Sequence, residues 1–307
     1  MHKKKTRWLL DIRRDYQIYL FLLPALIFFL VFCYIPMVGI QIAFKNYKPA
    51  YGIWGSSFVG MKHFSRFFSS YQAQAVIFNT LFISIYQLVA GFPIPIILAL
   101  LINQLRSQKL KKALQTVTYA PHFVSVPAVV GMIIVMLSPS SGGVFYRMIN
   151  ALCNGQAGVP MGRTDLFSTI YVISGIWQHA GWDAIIYIAA LSAIDPSLYE
   201  AAEIDGAGKM KKILYIDIPS ILPTAVIMLI LNSGKIMSIG FEKVLLMQNS
   251  MNLDASEIIS TYVYKQGLLN REYSYSTAIN LFNSLVNFLL IVIVNFAAGK
   301  MTDISIW

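Results

Sequence analysis

Several polar side chains interrupt long apolar stretches of this sequence, and they mark the places where ligand binding or chemistry is expected. A polar group inside an apolar membrane helix is costly unless it faces a partner group or a watery path. His179 and Asp183 are four residues apart, so on a helix they share one face. The candidates for lining a path are Gln178, His179, Asp183, Lys235, Asn283 and Asn287. The sequence leaves open whether they line a path or bond one helix to another.

The residue types that enzymes use most often show no catalytic arrangement. The chain has four histidines without an H-E-x-x-H pattern or metal-ligand spacing: His2, His63, His122 and His179. Ser174-Gly175 lacks the earlier glycine of a serine-hydrolase site. Gly208-Lys209 and Gly234-Lys235 lack the rest of an ATP-binding phosphate loop. The sequence therefore predicts no catalytic residue, no metal site and no cofactor bound by this chain, and it disfavours a membrane enzyme.

Composition indicates the kind of protein that must position these side chains. The chain is 57% hydrophobic and 12% charged, whereas charged residues make up about 25% of soluble domains. A helix needs about 20 apolar residues to cross a bilayer. Six stretches meet this length, at about 18–44, 75–102, 113–137, 168–194, 220–240 and 277–299. We therefore predict an all-α membrane protein with six transmembrane helices.

Proline and glycine interrupt two of these stretches. Gly91, Pro93 and Pro95 lie in the second stretch, and Pro121 and Pro127 lie in the third. Proline removes a helical hydrogen bond and bends the helix. Broken helices in membranes often line a cavity or a site, although a bend also arises from packing alone. Both interpretations stay open.

The distribution of lysine and arginine predicts which segments face the cytoplasm. Fourteen of these residues lie before the first stretch and after the second, fourth and sixth, within about 60 positions. The other connecting segments hold nine within about 95 positions. We therefore predict that both termini and the loop 195–219 are cytoplasmic. The net charge of +10 then reflects topology and anionic lipid, not nucleic acid, because the basic tail has no aromatic pattern suited to stacking on bases.

The loop 195–219 is polar and lies between the fourth and fifth apolar stretches. Asp195 and Pro196 are typical of a helix start. Gly206 and Gly208 are typical of residues that end or bend a helix. The pattern predicts two short amphipathic helices at the cytoplasmic surface. Such a loop either connects two spans and does no more, or is a docking element for a soluble partner.

The order of residues in this loop resembles the EAA loop of permease subunits of ABC importers. That loop reads Glu-Ala-Ala, three residues, Gly, nine residues, Ile, one residue, an aliphatic residue and Pro. Asp205 precedes the glycine here, and Ile218 stands in place of the usual leucine. The other matching residues are Glu200, Ala201, Ala202, Gly206, Ile216 and Pro219. The resemblance implies a type I ABC importer permease fold, in which this coupling loop sits in a cleft of a separate ATP-hydrolysing subunit.

The sequence around the loop resembles the sugar-importing branch of that family. The phrase YIAALSAIDPSLYEAAEIDGAG carries this likeness. The phrases GKIMSIGFEKVLLMQNS and SEIISTYVYKQGLLNREYSYSTAINLF are similar to a subgroup that handles complex oligosaccharides and polysaccharide fragments. One departure is His63, where sugar permeases usually have asparagine. The resemblance extends over nearly the whole chain.

The resemblance also implies a domain division and a set of partners. Residues 1–15 and 300–307 would be cytoplasmic tails, 16–74 the first helix with an external loop, and 75–299 the transmembrane domain with the coupling loop. The implied partners are a second homologous permease, two copies of an ABC ATPase that bind ATP and Mg²⁺, an extracellular or periplasmic sugar-binding protein, and membrane lipid. The chain would be a multi-pass protein of the bacterial cytoplasmic membrane.

The expected function is that of the permease subunit of an ATP-driven importer of oligosaccharides or polysaccharide fragments, without enzymatic activity of its own. The polar residues of the fourth stretch would then contact sugar or form a gate, or else they would face the partner permease. An ATP-independent carrier or channel is the alternative. A carrier would be expected to show an internal repeat, and none is evident in the sequence.

Overall fold

The computed structural model describes residues 14–302, and their regular structure is mainly helical. Most of the predicted basic tail, residues 1–13, and the end of the carboxy-terminal tail, residues 303–307, lie outside the described residues. The main helices are α1 (Tyr16–Phe44), α2 (Tyr71–Gly91), α3 (Pro93–Asn103), α4 (Gln108–Tyr119), α5 (Val126–Leu137), α6 (Thr164–Ser192), α7 (Pro196–Ile204), α8 (Lys209–Ser233), α9 (Phe241–Met247) and α10 (Tyr273–Thr302). Shorter helices are Gly52–Gly55, Lys62–Phe68, Val144–Leu152, Leu253–Ser256 and Ile259–Tyr264. Two short strands, β1 (Lys45–Asn46) and β2 (Ser57–Phe58), pair antiparallel with Lys45 opposite Phe58.

Four segments within residues 14–302 are long and apolar enough to cross a membrane. They are α1, the combined segment of α2 and α3, α8, and α10. Two further pairs of helices pass the same test together but are bent between their members. The bend is 96° between Gln108–Phe123 and α5, and 70° between α6 and α7. If each bent pair is one span, the described part of the chain contains six spans, the number that composition predicts.

The third predicted stretch is not one straight helix. The chain turns between α4 and α5, in a segment that contains Pro121 and leads to Pro127. Pro121 lies at the start of a short 3-10 turn, and Pro127 lies in the first two positions of α5. Proline is favoured at a helix start, where its missing N–H leaves no bond unmade, and it stops a helix that precedes it. The two prolines therefore separate two helices.

Helix α8 differs from the fifth predicted stretch, 220–240, at both ends. It begins at Lys209 and ends at Ser233, after which Gly234 is the C-terminal cap. The predicted position of Lys235 inside a span is therefore wrong, because Lys235 lies in the turn that follows α8. The charged side chain of Lys235 is tolerated in this turn because it lines a cavity.

The prediction of a second short helix in the coupling loop is also wrong. Residues 209–219 are the first turns of α8. A π-helical segment, Ile213–Asp217, comes just before Pro219. A π-helical turn shifts the hydrogen-bonding register, so the helix continues past a residue that has no N–H to donate.

Two apolar cores pack against α6, one near each end of the helix. The first core joins α3, α6 and α8 through Ala99, Leu100, Ile102, Ala184, Tyr187, Ile188, Leu191 and Ile221. The second joins α2, α5, α6 and α9 through Ile83, Val130, Phe167, Tyr171, Val172, Val244 and Met247, among others. The polar residues of α6 lie between the two cores. Packing at each end therefore sets the direction in which those polar side chains point.

Gly181 allows the backbone of α6 to pack directly against the backbone at the end of α4. A Cβ atom at this position would lie 2.0 Å from the Thr118 carbonyl oxygen. We expect Gly181→Ala to push α4 away from α6 and to lower the free energy of unfolding by about 1–3 kcal/mol. Thermal unfolding of the purified protein, followed by size-exclusion chromatography, measures this loss. Gly131→Ala is the matched control, since nothing lies within 4 Å of a Cβ there; equal effects of both substitutions would contradict the packing argument.

Candidate functional site

Helix α7 begins as the sequence predicts. Asp195 is its N-cap, and the Asp195 side chain accepts a hydrogen bond from the Ser197 N–H at 2.9 Å. Pro196 occupies the first helical position, where its missing N–H leaves no bond unmade. The hydrogen bond from Ser197 lowers the pKa of the Asp195 carboxyl group. The cap therefore weakens only when acid protonates this carboxylate.

The glycine of the motif ends α7. Gly206 has a φ of +73°, in the left-handed region that glycine favours. Its N–H donates to the Glu203 carbonyl oxygen at 3.0 Å, and the Ala207 N–H donates to the Ala202 carbonyl oxygen at 2.8 Å. These two bonds form a Schellman motif. They explain the glycine of the sequence motif, because the residue at this position of the turn must adopt a positive φ.

One side of the coupling loop is open to solvent. The motif residues that are exposed are Glu200, Ala201, Asp205, Gly206 and Pro219, and those that are half-buried are Ala202 and Ile216. Among the apolar side chains of the loop, Ile204 is 87% exposed and Tyr215 is 78% exposed. The loop therefore offers apolar and charged groups together, as a surface that binds a partner does.

A salt bridge joins the end of α7 to the start of α8. The Lys212 ammonium group lies 2.6 Å from Glu203 Oε1, and this contact lowers the pKa of the Glu203 carboxyl group. Because the glutamate is exposed, the pair contributes little to stability by itself. It holds the two helix ends together across the turn at Gly206.

A buried carboxylate connects α7 with two other elements. Asp217 is 0% exposed and lies in the π-helical turn of α8. It accepts a hydrogen bond from the Tyr199 hydroxyl of α7, and another at 3.0 Å from the side-chain amide of Gln104, just after α3. Burial and the bond to Asp217 raise the pKa of Tyr199 to about 12, so the phenol stays protonated and donates near neutral pH. Three elements therefore meet at a side chain that the sequence did not single out.

A cavity of about 290 Å³ lies between α2, α3, α6 and the end of α8, and we name it the central cavity. Its polar lining includes Gln87, His179, Asp183, Asn232, Lys235 and Ser238. Three of the six predicted path residues, His179, Asp183 and Lys235, therefore reach one cavity. His179 and Asp183 share a face of α6, as their spacing predicts. A cavity with this lining suits a polar ligand rich in hydrogen-bonding groups.

The other three predicted path residues do not line the central cavity. The Gln178 amide donates to the Val124 carbonyl oxygen at 3.0 Å, in the break between α4 and α5. Asn287 accepts a hydrogen bond from the Met237 N–H at 2.8 Å. Asn283 is buried, and its side-chain oxygen has no hydrogen-bond partner among the described residues. Gln178 and Asn287 thus bond one segment to another, which is the structural alternative for these residues.

Sequence reasoning missed two side chains beside the central cavity, His122 and Lys243. His122 Nδ1 lies 3.1 Å from His179 Nδ1, and the His122 ring stacks on Trp182 with centroids 4.4 Å apart. Lys243 is 7% exposed, and its ammonium group donates to the Tyr171 carbonyl oxygen at 3.1 Å. No local pattern marks either residue, because both partners lie on a distant part of the chain.

Comparison with known proteins identifies a family and two similar relatives. Residues 91–303 match the family described as the binding-protein-dependent transport system inner membrane component. Protein LplB of Bacillus subtilis strain 168 is 40% identical over 297 residues, which cover 97% of this chain and 93% of LplB. The polygalacturonan/rhamnogalacturonan transport system permease protein YteP of the same organism is 40% identical over 305 residues, which cover 99% of this chain and 94% of YteP.

Two solved structures are similar over almost the whole chain. One is a bacterial ABC transporter involved in the import of the acidic polysaccharide alginate, with a TM-score of 0.88 and 38% identity over 96% of this chain and 99% of that chain. The other is a bacterial alginate ABC transporter in complex with an alginate pentasaccharide-bound periplasmic protein, with a TM-score of 0.87 and 38% identity over 96% of this chain and 98% of that chain. These findings confirm the predicted ABC importer permease fold and a location in the membrane. The chain therefore belongs to the family of inner membrane components of binding-protein-dependent transport systems.

Proposed function

We propose that this chain is the permease subunit of an ATP-driven importer that moves oligosaccharides or polysaccharide fragments across the bacterial cytoplasmic membrane. The observation that carries the proposal is the coupling loop, an exposed helix that ends in a Schellman turn at the motif glycine, Gly206. Membership of the transport family supports the same function. This chain provides the path for the sugar and the loop that transmits movement from the ATPase to the membrane helices. A partner subunit hydrolyses ATP.

In this proposal α7 binds in a cleft of a partner ATPase. The residues assigned to the contact and its geometry are Glu200, Ala201, Ala202, Asp205, Gly206, Ile216 and Pro219. The small alanine side chains favour close approach of a partner backbone. Two copies of the ATPase, each with ATP and Mg²⁺, move together when ATP binds and separate after hydrolysis. The Asp217 hydrogen bonds connect α7 with α8 and α3, so movement of α7 reaches helices beside the central cavity.

The topology follows from the same proposal. The excess of lysine and arginine supports cytoplasmic placement of both termini and of the coupling loop. A second homologous permease completes the pathway, and an extracellular or periplasmic binding protein delivers the sugar from the opposite side. The complex of the alginate transporter with its periplasmic protein supports such a partner.

The proposed cargo is a saccharide. The name of YteP refers to polygalacturonan and rhamnogalacturonan, and the similar solved transporter imports alginate. The polar lining of the central cavity supports a cargo with many hydroxyl groups. We assign sugar contacts to His179, Asp183 and Lys235, which line the cavity together.

Affinity purification from native membranes tests the proposed function. The chain carries a tag at its amino terminus, and the proteins that co-purify are identified by mass spectrometry. We expect a second permease and an ABC ATPase, with the ATPase lost when Gly206→Asp is introduced. Recovery of this chain alone, with sugar transport in liposomes that lack ATP, would favour the carrier or channel alternative.

A further inference from the structure

A buried cation, Lys243, lies next to the lining of the central cavity and is not itself one of the lining residues. Lys243 of α9 is 7% exposed and lies beside Gly175 of α6, which lines the cavity. Within residues 14–302, no carboxylate forms an ion pair with its ammonium group. A buried charge without a counter-charge is costly, and a cation kept in such a place is typical of a functional site.

Gly175 leaves a gap between two hydrogen-bond donors. A Cβ atom at Gly175 would lie 3.5 Å from Lys243 Nζ and 3.9 Å from Gln87 Nε2. The Lys243 ammonium group donates one of its three N–H bonds to the Tyr171 carbonyl oxygen and lies 4.8 Å from the centre of the Tyr171 ring. Its other two N–H donors have no hydrogen-bond acceptor within the described residues. In the described part of the chain, no hydrogen bond engages the Gln87 amide. Both donors are therefore free to hold an acceptor that enters the gap.

We infer that the gap beside Gly175 binds the carboxylate of a uronic acid unit in the transported oligosaccharide, between Lys243 and Gln87. The inference rests on the proposed function, because it takes the central cavity as part of the sugar path. An ammonium group and an amide N–H together match the two oxygens of a carboxylate. A neutral sugar offers hydroxyl groups alone and leaves the buried ammonium group without a counter-charge.

The distribution of charge along the cavity supports an acidic ligand. Asp183, an acidic residue in the cavity lining, lies eight residues along α6 from Gly175, which corresponds to about 12 Å of helix. Asp183 and Lys243 form no ion pair within residues 14–302. Lys235 lines the same cavity and forms no ion pair within residues 14–302. The charged group that lies beside Gly175 is therefore the cation Lys243.

Binding of uronate trimers to the complete transporter in lipid nanodiscs tests this inference. The probes are trimers of galacturonate, mannuronate and guluronate, each as the free acid and as the methyl ester, at low ionic strength. Titration calorimetry measures their dissociation constants. We expect at least one free acid to bind, and its methyl ester to bind about tenfold more weakly, since esterification removes the charge-assisted hydrogen bonds.

Two variants locate the site. Lys243→Met removes the ammonium group and is expected to weaken binding of the free acid about tenfold while leaving ester binding nearly unchanged. Gly175→Ala fills the gap and is expected to weaken binding of the free acid about tenfold. Gly131→Ala lies away from the cavity lining and is the control, with wild-type binding expected. Co-purification of the partner subunits establishes that each variant has assembled.

Three results would overturn the inference. They are equal binding of acid and ester by the wild type, binding of no free acid, and an unchanged preference for the acid in both assembled variants. Each of these results is compatible with recovery of the ATPase and the second permease. The carboxylate site and the proposed function can therefore fail separately.

Discussion

A transporter that carries Gly206→Asp is expected to reach the membrane in normal amounts and to lose nearly all uptake. Gly206 has a φ of +73°, and a residue with a Cβ atom costs about 1–2 kcal/mol in that conformation. The new carboxylate also lies near Glu203 and Asp205, on the surface assigned to the ATPase. Nothing in this chain lies within 4 Å of a Cβ at Gly206, so no internal clash opposes folding. The backbone strain and the new charge therefore both act at the turn of the surface assigned to the ATPase, and the packing of the spans is left intact.

Uptake of labelled oligosaccharide and recovery of the ATPase on purification measure this effect. We expect recovery of the ATPase to fall at least about tenfold. Gly208→Ala is the control in the same loop, since Gly208 has a φ of −69° and open space around its Cβ position. Normal uptake by a normally inserted Gly206→Asp variant would contradict the assignment of the coupling loop.

Tyr199→Phe is expected to separate ATP hydrolysis from uptake. The substitution removes the hydroxyl that donates to Asp217 and leaves this buried carboxylate with the Gln104 hydrogen bond. Loss of a hydrogen bond to a buried charged group costs about 1.5–3 kcal/mol, so α7 is held less firmly to α8. The exposed side of α7 is unchanged and still binds the ATPase. Hydrolysis therefore continues, while its movement reaches the central cavity less effectively.

The ratio of sugar imported to ATP hydrolysed measures this separation in reconstituted transporter. We expect the ratio to fall several-fold for Tyr199→Phe at an unchanged amount of assembled complex. Tyr71→Phe removes a hydroxyl from a side chain that is 91% exposed and lies at the start of α2, outside the coupling loop, so it is the matched control with an unchanged ratio. If uptake and hydrolysis fall together, in proportion to the amount of complex, Tyr199 has a structural role and no role in coupling.

The start and end of α7 could be predicted from the sequence because the groups that form them are close together in the chain. The Asp195 side chain bonds two residues ahead, and the Schellman bonds at Gly206 span three and five residues. Backbone conformation and hydrogen bonds at this range depend on residue type and spacing. The same argument does not extend to α8. Helix α8 starts at Lys209, before its apolar part begins. Hydropathy detects the apolar part alone, and it misses the first turns because lysine is polar and yet a good helix former.

The sequence by itself determined the membrane class, the approximate positions of six apolar stretches, the start and end of the helix α7 in the loop 195–219, and the family. Only the tertiary structure decided which polar side chains meet. The Gln104–Asp217 bond joins residues 113 positions apart, the His122–His179 contact joins residues 57 apart, and the Lys243–Tyr171 bond joins residues 72 apart. Such pairs depend on which helix faces which, and on how far each is rotated when the cores pack. Apolar periodicity specifies a buried face, but it does not name the helix on the other side.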